Sequence, residues 1–360
     1  MLIRSRTPVR IDFAGGWTDV ALFAQDEPGA VINATINIYS YATVKKLPPK
    51  EIETNAYGYK HVESVEDRSI KIYSADFDIY QEADDIKQLE YDGNIDLAKA
   101  ALRRTNIDYG VEIITRSNAP AGSGLGTSAS MGVALVGVLN ALNNASCLPH
   151  ELAEQASAIE RYELNILGGK QDHYASAIGG FNFMEFFGED VKVFGLPISR
   201  NTLLELEKNL VLCYTGKSRL SGNIHQNVVD AFLSGDPETI SALKNLKQIT
   251  RDMKNVLLKG DLSEFARLMS ENWENQKRLH SSVTNAQIDE LFDIANRNGA
   301  LGGKACGAGG GGCLIFYCES NKEHLVRKKL EEYGLKVIDF DFTTEGISIW
   351  HPEVEKSIIG

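Results

Sequence analysis

Between the β-branched run Val111–Thr115 and the small-residue stretch from about Ala129 to Leu142 lies Pro120-Ala121-Gly122-Ser123-Gly124-Leu125-Gly126-Thr127-Ser128. A strand that gives way to a helix through alternate glycines leaves few choices of fold. Glycine alone enters left-handed backbone without penalty, and its missing Cβ lets another group come close to the chain. At the helix start that follows, backbone N–H groups are without intrahelical partners and the helix dipole favours negative charge, so an anion is the natural occupant. The loop is not of the Walker A kind, because no Lys-Ser/Thr pair follows at that spacing, and it is not GxGxxG. On its own it is either a phosphate loop or a glycine-rich turn without a ligand.

The rest of the chain suggests two units. At 360 residues and 43% hydrophobic content it can bury one large core or two packed lobes. Residues up to Pro197 are rich in strand signals, including Val9–Phe13, Val31–Ile38 and Ile70–Tyr73. After Pro197 amphipathic helical patterns take over at about Gly222–Leu233, Pro237–Leu258, Ser263–Arg278 and Asn285–Asn298. Strand patterns return at Cys313–Tyr317, Leu335–Phe340 and Gly346–Trp350, so the boundary is set at 197/198, giving domains 1–197 and 198–360. A helix is also expected from Glu151 to about Leu167, ending at Gly168-Gly169.

A formal charge of −12 argues against nucleic acid or an anionic membrane as partner. No apolar run is long enough to span a bilayer and no secretory signal opens the chain, so a soluble, cytoplasmic protein is expected. The five cysteines, odd in number and without a CxxC pair, favour neither disulfides nor zinc.

Two further loops carry chemistry. Gly168-Gly169-Lys170-Gln171-Asp172-His173-Tyr174 places a carboxylate beside a lysine, so that Asp172 is either a general base toward a hydroxyl or the N-cap of the next helix. Gly307-Ala308-Gly309-Gly310-Gly311-Gly312, held between Lys304-Ala305-Cys306 and an apolar strand, must let a ligand phosphate, a substrate or the neighbouring lobe approach closely.

Together with Thr7-Pro8-Val9-Arg10-Ile11-Asp12-Phe13-Ala14-Gly15-Gly16-Trp17-Thr18-Asp19, these loops resemble, in order and content, the three signature motifs of the GHMP kinase superfamily. The resemblance covers essentially the whole chain. It implies an α+β, two-lobed GHMP kinase fold, with an N-terminal mixed α/β domain and a C-terminal helical and ferredoxin-like domain. It further implies that Pro120, Gly122, Ser123, Gly124, Leu125, Gly126, Thr127 and Ser128 wrap ATP phosphates, and that Ser128 and Glu160 share magnesium, with Glu163 as rival ligand. Asp172 is implied as catalytic base beside Arg10, and Asp19 as the residue that holds a substrate hydroxyl. Gly16, Trp17, Lys170, Gly309 and Gly310 complete the expected substrate site, Trp17 by stacking on a sugar face.

Gly15-Gly16-Trp17 stands where galactokinase-like sequences carry an acidic residue and a histidine, which disfavours galactose. The motifs most resemble the branch holding D-glycero-D-manno-heptose 7-phosphate kinase and the kinase half of fucokinase, so the expected acceptor is an anomeric hydroxyl. A heptose phosphate would need a second anion site, for which Lys170, Lys217, Arg219 and Lys304 are candidates, with Ser218 and Ser221 as neutral donors. L-fucose, a catalytically silent sugar sensor and a mevalonate-branch decarboxylase are the competing readings. A homodimer is compatible with the sequence.

Overall fold

The computed structural model describes residues 1–56, 59–216 and 221–352. The first half runs β1 (Leu2–Ala14), β2 (Gly29–Lys46), the hairpin β3 (Lys50–Ala56) and β4 (Tyr59–Val65), then β5 (Ile70–Ser74) and β6 (Ile79–Ala83). It continues with α1 (Asp96–Arg104), β7 (Val111–Ser117), α2 (Thr127–Leu142), α3 (Pro149–Ala158), α4 (Gln171–Ile178), β8 (Phe181–Phe187) and β9 (Asp190–Gly195). The second half is α5 (Arg200–Asn209), β10 (Leu210–Tyr214), α6 (Ser221–Leu233), α7 (Pro237–Lys259), α8 (Leu262–Lys277), α9 (Ala286–Arg297), β11 (Ala300–Ala305), β12 (Cys313–Cys318), α10 (Glu323–Glu332), β13 (Lys336–Ile338) and β14 (Ser348–Trp350).

An eight-stranded sheet organises the first half: six strands run in the order β14-β1-β2-β7-β5-β6, and β8 branches from β2 with β9 beside it. β2 is long enough to hold β8 along Gly29–Ala34 and β7 along Ser40–Lys46, on the side away from β1. A four-stranded sheet, β11-β12-β10-β13, organises the second, with α10 against it. Helix α2 covers the large sheet, and its first turns are made of small residues because it is buried on almost every side. On the other face α7 and α8 pack as a pair joined through Gly260, whose φ of 73° ends α7, while Asp261 caps α8 by accepting from Glu264 N.

Phe13 of β1 joins the halves. It is fully buried, its ring 5.8 Å from Phe181 of β8, 5.4 Å from Phe265 of α8 and 6.3 Å from Phe342 near the C-terminus.

Two expectations from sequence do not hold as stated. The helix expected to reach Leu167 is α-helical only to Ala158; it widens into one π turn, Ile159–Glu163, where Leu164 N donates to Ile159 O, and Asn165 then takes a φ of 53°. The strand signal at Gly346–Trp350 does not add to the sheet of the second half. It supplies β14, which pairs with β1, and Ile347 packs so closely over α2 that a Cβ on Gly137 would lie 2.4 Å from it. Among the described residues no helix is long and apolar enough to cross a membrane.

Phe13→Ala should lower unfolding stability by about 3–5 kcal/mol, because the cavity falls where four elements meet and cannot collapse without moving all of them. Denaturant titration of variant and native chain gives the value; a loss below about 1 kcal/mol would mean Phe13 is not the joint.

Candidate active site

In β1, Ser5 and Thr7 donate to Ala134 and Ser130 carbonyls of α2. The register against β2 then slips between Pro8 and Val9. Beyond the slip Val9, Ile11 and Phe13 fill the core shared with α7 and α8, while Arg10 and Asp12 face the loops. The two extra residues are on β2, between Tyr39 and Ile36, so β1 keeps its alternation and Arg10 and Asp12 share one face of it.

The Arg10 guanidinium grips Asp172 with Nε 2.7 Å from Oδ1 and Nη2 2.8 Å from Oδ2, and donates from Nη1 to Gly124 O at 2.6 Å. Burial works against its charge, but Asp172 and Asp12 outweigh it and leave the Arg10 pKa raised. Lys170, not Asp172, stands at the cap of α4, so the Asp172 carboxylate points at Arg10 rather than capping the helix.

Asp12 pairs with Lys304, Nζ to Oδ2 at 2.6 Å, with both side chains wholly buried, and Gly307 N reaches Asp12 Oδ1 at 3.3 Å. Burial would raise the Asp12 pKa, yet Lys304 and Arg10 hold it below the ordinary carboxylate range.

The glycine loops interlock. Gly122, Gly124 and Gly126 have φ values of 66°, 74° and 74°, and a Cβ on Gly124 would lie 2.6 Å from Cys306 O. A Cβ on Gly312 would meet Ser123 O at 2.7 Å, so one reason for the second glycine cluster is the neighbouring loop. Gly309 and Gly310 turn instead to the short turn Ser281–Val283 that follows α8: Gly310 N donates to Val283 O at 2.7 Å, and neither glycine lines the cavity. Gly307 and Ala308 of the same loop do, where the sequence pointed to Gly309 and Gly310.

This cavity holds about 360 Å³. Arg10, Gly16, Trp17, Asp19 and Asp172 line it, with Ser123, Gly126, Thr127 and Ser128 along the loop and Glu160 behind. Leu125 is a core residue, and Pro120 lies off the cavity. A second cavity of about 650 Å³ meets the first at Gly122, Thr127 and Ser128, and its wall includes Phe77, Tyr91, Met131 and Leu135. A pocket rich in charged side chains and a more apolar one thus share the N-terminus of α2.

Asp19 is 5% exposed and accepts from Gln171 N at 3.2 Å; Gly169 must be glycine, since a Cβ there would lie 1.8 Å from Asp19 Oδ2. Burial, joined by Asp172, pushes the Asp19 pKa up to about 6. Trp17 has a φ of 83° and is 4% exposed; its ring lies 4.6 Å from that of His225, so part of the indole is already covered and the expected sugar stacking is limited.

Lys170 is not at the cavity. Glu154 accepts from its ammonium at 2.9 and 3.0 Å and Glu189 O at 2.8 Å, which ties it to α3 and the β8–β9 turn. Lys304 is consumed by Asp12. Lys217, Ser218 and Arg219 lie outside the described residues, as does the side chain of Ser221. Arg161, which sequence reasoning missed, does line the cavity, paired with Glu189.

Ser128 Oγ donates to Glu160 Oε1 across the first turn of α2 and the π turn. Glu163 instead faces Arg104 at 3.7 Å and Tyr91. A hydroxyl and a carboxylate beside a phosphate loop are hard oxygen donors, the set that magnesium takes when phosphate and water complete its shell. The residues therefore fit such an ion.

Two pockets meeting at a helix N-terminus, one of them holding a carboxylate clamped by arginine, are the layout of a small-molecule kinase. Residues 95–180 match the GHMP kinases N terminal domain and residues 230–335 the GHMP kinases C terminal. Over 97% of its length the chain is 34% identical to the D-glycero-alpha-D-manno-heptose 7-phosphate kinase of Campylobacter jejuni, covering 98% of that protein. It is 29% identical over 91% of its length to the bifunctional fucokinase/GDP-fucose pyrophosphorylase of Arabidopsis thaliana, of which it spans 31%. The crystal structure of a D-glycero-D-manno-heptose 1-phosphate kinase from Bacteroides thetaiotaomicron superposes with a TM-score of 0.77 at 32% identity, covering 98% of this chain and 100% of that one. The chain belongs to the GHMP kinase family.

The raised Asp19 pKa has a definite sign. The folded chain holds that proton more tightly than the unfolded one, so Asp19 costs no stability below about pH 4 and its full cost is felt above about pH 6. Asp19→Asn should therefore be more stable than the native chain at pH 7, by on the order of 1–3 kcal/mol, with the gap closing toward pH 4. Unfolding at both pH values checks this; a pH-independent difference would contradict it.

Proposed function

We propose that this chain transfers the γ-phosphoryl group of ATP to the anomeric hydroxyl of a sugar, with D-glycero-D-manno-heptose 7-phosphate as the acceptor. The observation that carries the reading is the Arg10–Asp172 clamp in the smaller cavity, beside the glycine loop that both cavities share. The larger, more apolar cavity suits the nucleoside of the donor, and the smaller one, rich in charged side chains, the acceptor. Backbone N–H groups at the start of α2 receive the phosphates between them.

In the reaction the acceptor oxygen forms a bond to the γ-phosphorus as the bond to the β-phosphate oxygen breaks, and ADP leaves. Asp172 takes the hydroxyl proton on a carboxylate oxygen. Arg10 holds that carboxylate in place through two hydrogen bonds and adds positive charge near the group in transfer. Asp19, seated beside Gln171 and able to accept two hydroxyl hydrogens, holds the sugar. Ser128 and Glu160 would hold magnesium, which when bound neutralises phosphate oxygens. The reaction is placed in the cytoplasm, where ATP is at hand.

The heptose phosphate is favoured by the near-complete coverage of the Campylobacter jejuni relative named for it. One observation favours L-fucose as a second reading: Arg10 and Arg161, the cations of the acceptor cavity among the described residues, are each engaged by a carboxylate. ADP release should be measured across heptose 7-phosphate, L-fucose, mannose, galactose and mevalonate, with phosphorus NMR on the products. A doubly phosphorylated heptose with an anomeric phosphate is expected, at a kcat/KM at least about tenfold above fucose. Preference for fucose would favour the second reading, and turnover of mevalonate alone would overturn both.

A further inference from the structure

Asp172 and His173 are neighbours on the first turn of α4, yet they serve different partners. Asp172 meets Arg10 of β1. His173, 2% exposed, turns to the π turn, where its Nε2 lies 2.8 Å from Glu160 Oε2. The other oxygen of the same carboxylate accepts from Ser128. Neither ring nitrogen makes an aligned hydrogen bond among the described residues, so the close approach of Nε2 to Glu160 is the polar contact this imidazole has.

We infer that His173 is a positioning residue for Glu160, fixing the rotation of the carboxylate so that Oε1 faces Ser128 and the phosphate loop. This rests on the reading of Ser128 and Glu160 as the residues that hold a divalent cation.

The terminal torsion of a glutamate is broad, and Glu160 sits on a widened turn that constrains its side chain less than a regular helix would. Without a contact on Oε2, either oxygen could face Ser128 and the carboxylate would sample a range of angles. A ring nitrogen held 2.8 Å from one oxygen restricts that freedom, as outer partners of ligating carboxylates do elsewhere. The surroundings leave the imidazole no other employment: nearby Arg161 is held by both oxygens of Glu189, and Asp172 is held by Arg10. One turn of α4 thereby sets two carboxylates of the site, Asp172 directly and Glu160 through the imidazole.

The test measures divalent-cation binding without turnover, using Mn²⁺ as probe in the presence of ADP and in the absence of sugar, with free Mn²⁺ read by electron paramagnetic resonance. The native chain is compared with Glu160→Gln, His173→Leu, His173→Asn and His173→Gln. Glutamine carries its amide nitrogen about as far out as Nε2, whereas asparagine reaches only the Nδ1 position. Binding should weaken by about 10–100-fold in His173→Leu and His173→Asn. It should weaken at least as much in Glu160→Gln and recover to within about threefold of native in His173→Gln. If His173→Leu does not fold, the contrast between asparagine and glutamine decides the matter alone. Native-like binding in His173→Asn with loss in Glu160→Gln would overturn the positioning role and leave the cation site standing. Native-like binding in Glu160→Gln would overturn the cation site itself, and the role of His173 with it.

Discussion

Two charged side chains two residues apart on one strand hold this site together. Arg10 reaches Asp172 of α4 and the Gly124 carbonyl, and Asp12 reaches Lys304 of β11 and the Gly307 amide. Buried ion pairs are poor sources of stability, because desolvation offsets most of the attraction, while removing one partner typically costs 3–5 kcal/mol. Their value here is positional. Loops from residues near 124, 172 and 307, far apart in the chain, are referred to one strand and so to one another.

The packing makes that reference rigid. On the opposite face of β1, Phe13 is surrounded by rings from β8, α8 and the C-terminal segment, so the strand cannot shift without disturbing both halves. The glycine loops then fit against each other at backbone distance, where a side chain on Gly124 or Gly312 would collide with a carbonyl. Both clusters of glycine are explained by this contact as well as by a ligand. The C-terminal strand β14 closes the arrangement by returning to β1.

What was legible in the sequence was local. The strand–glycine–helix order around Ser128 needs only neighbouring residues, and the structure has it within one or two residues of the expected bounds. Pattern spacing likewise gave α7, α8 and α9, whose caps Asp236, Asp261 and Asn285 are written beside them. Lys170 misled because its partners Glu154 and Glu189 lie on other elements, and no spacing announces that a lysine beside an aspartate will turn away from it. Gly309 and Gly310 sat in a motif whose members have different tasks, some facing the cavity and some Val283. The π turn at Glu160 and the His173 contact that goes with it depend on how α3 meets α4, which helical periodicity does not record.

The central claim is that Arg10 and Asp172 act as one unit on the hydroxyl proton and the moving phosphoryl group. A double-mutant cycle on kcat/KM with Arg10→Met, Asp172→Asn and the pair tests it directly. Each single change should lower kcat/KM by about 10²–10⁴-fold, and the double variant should fall no more than about tenfold below the worse single. Losses that multiply, as independent sites require, would contradict the account.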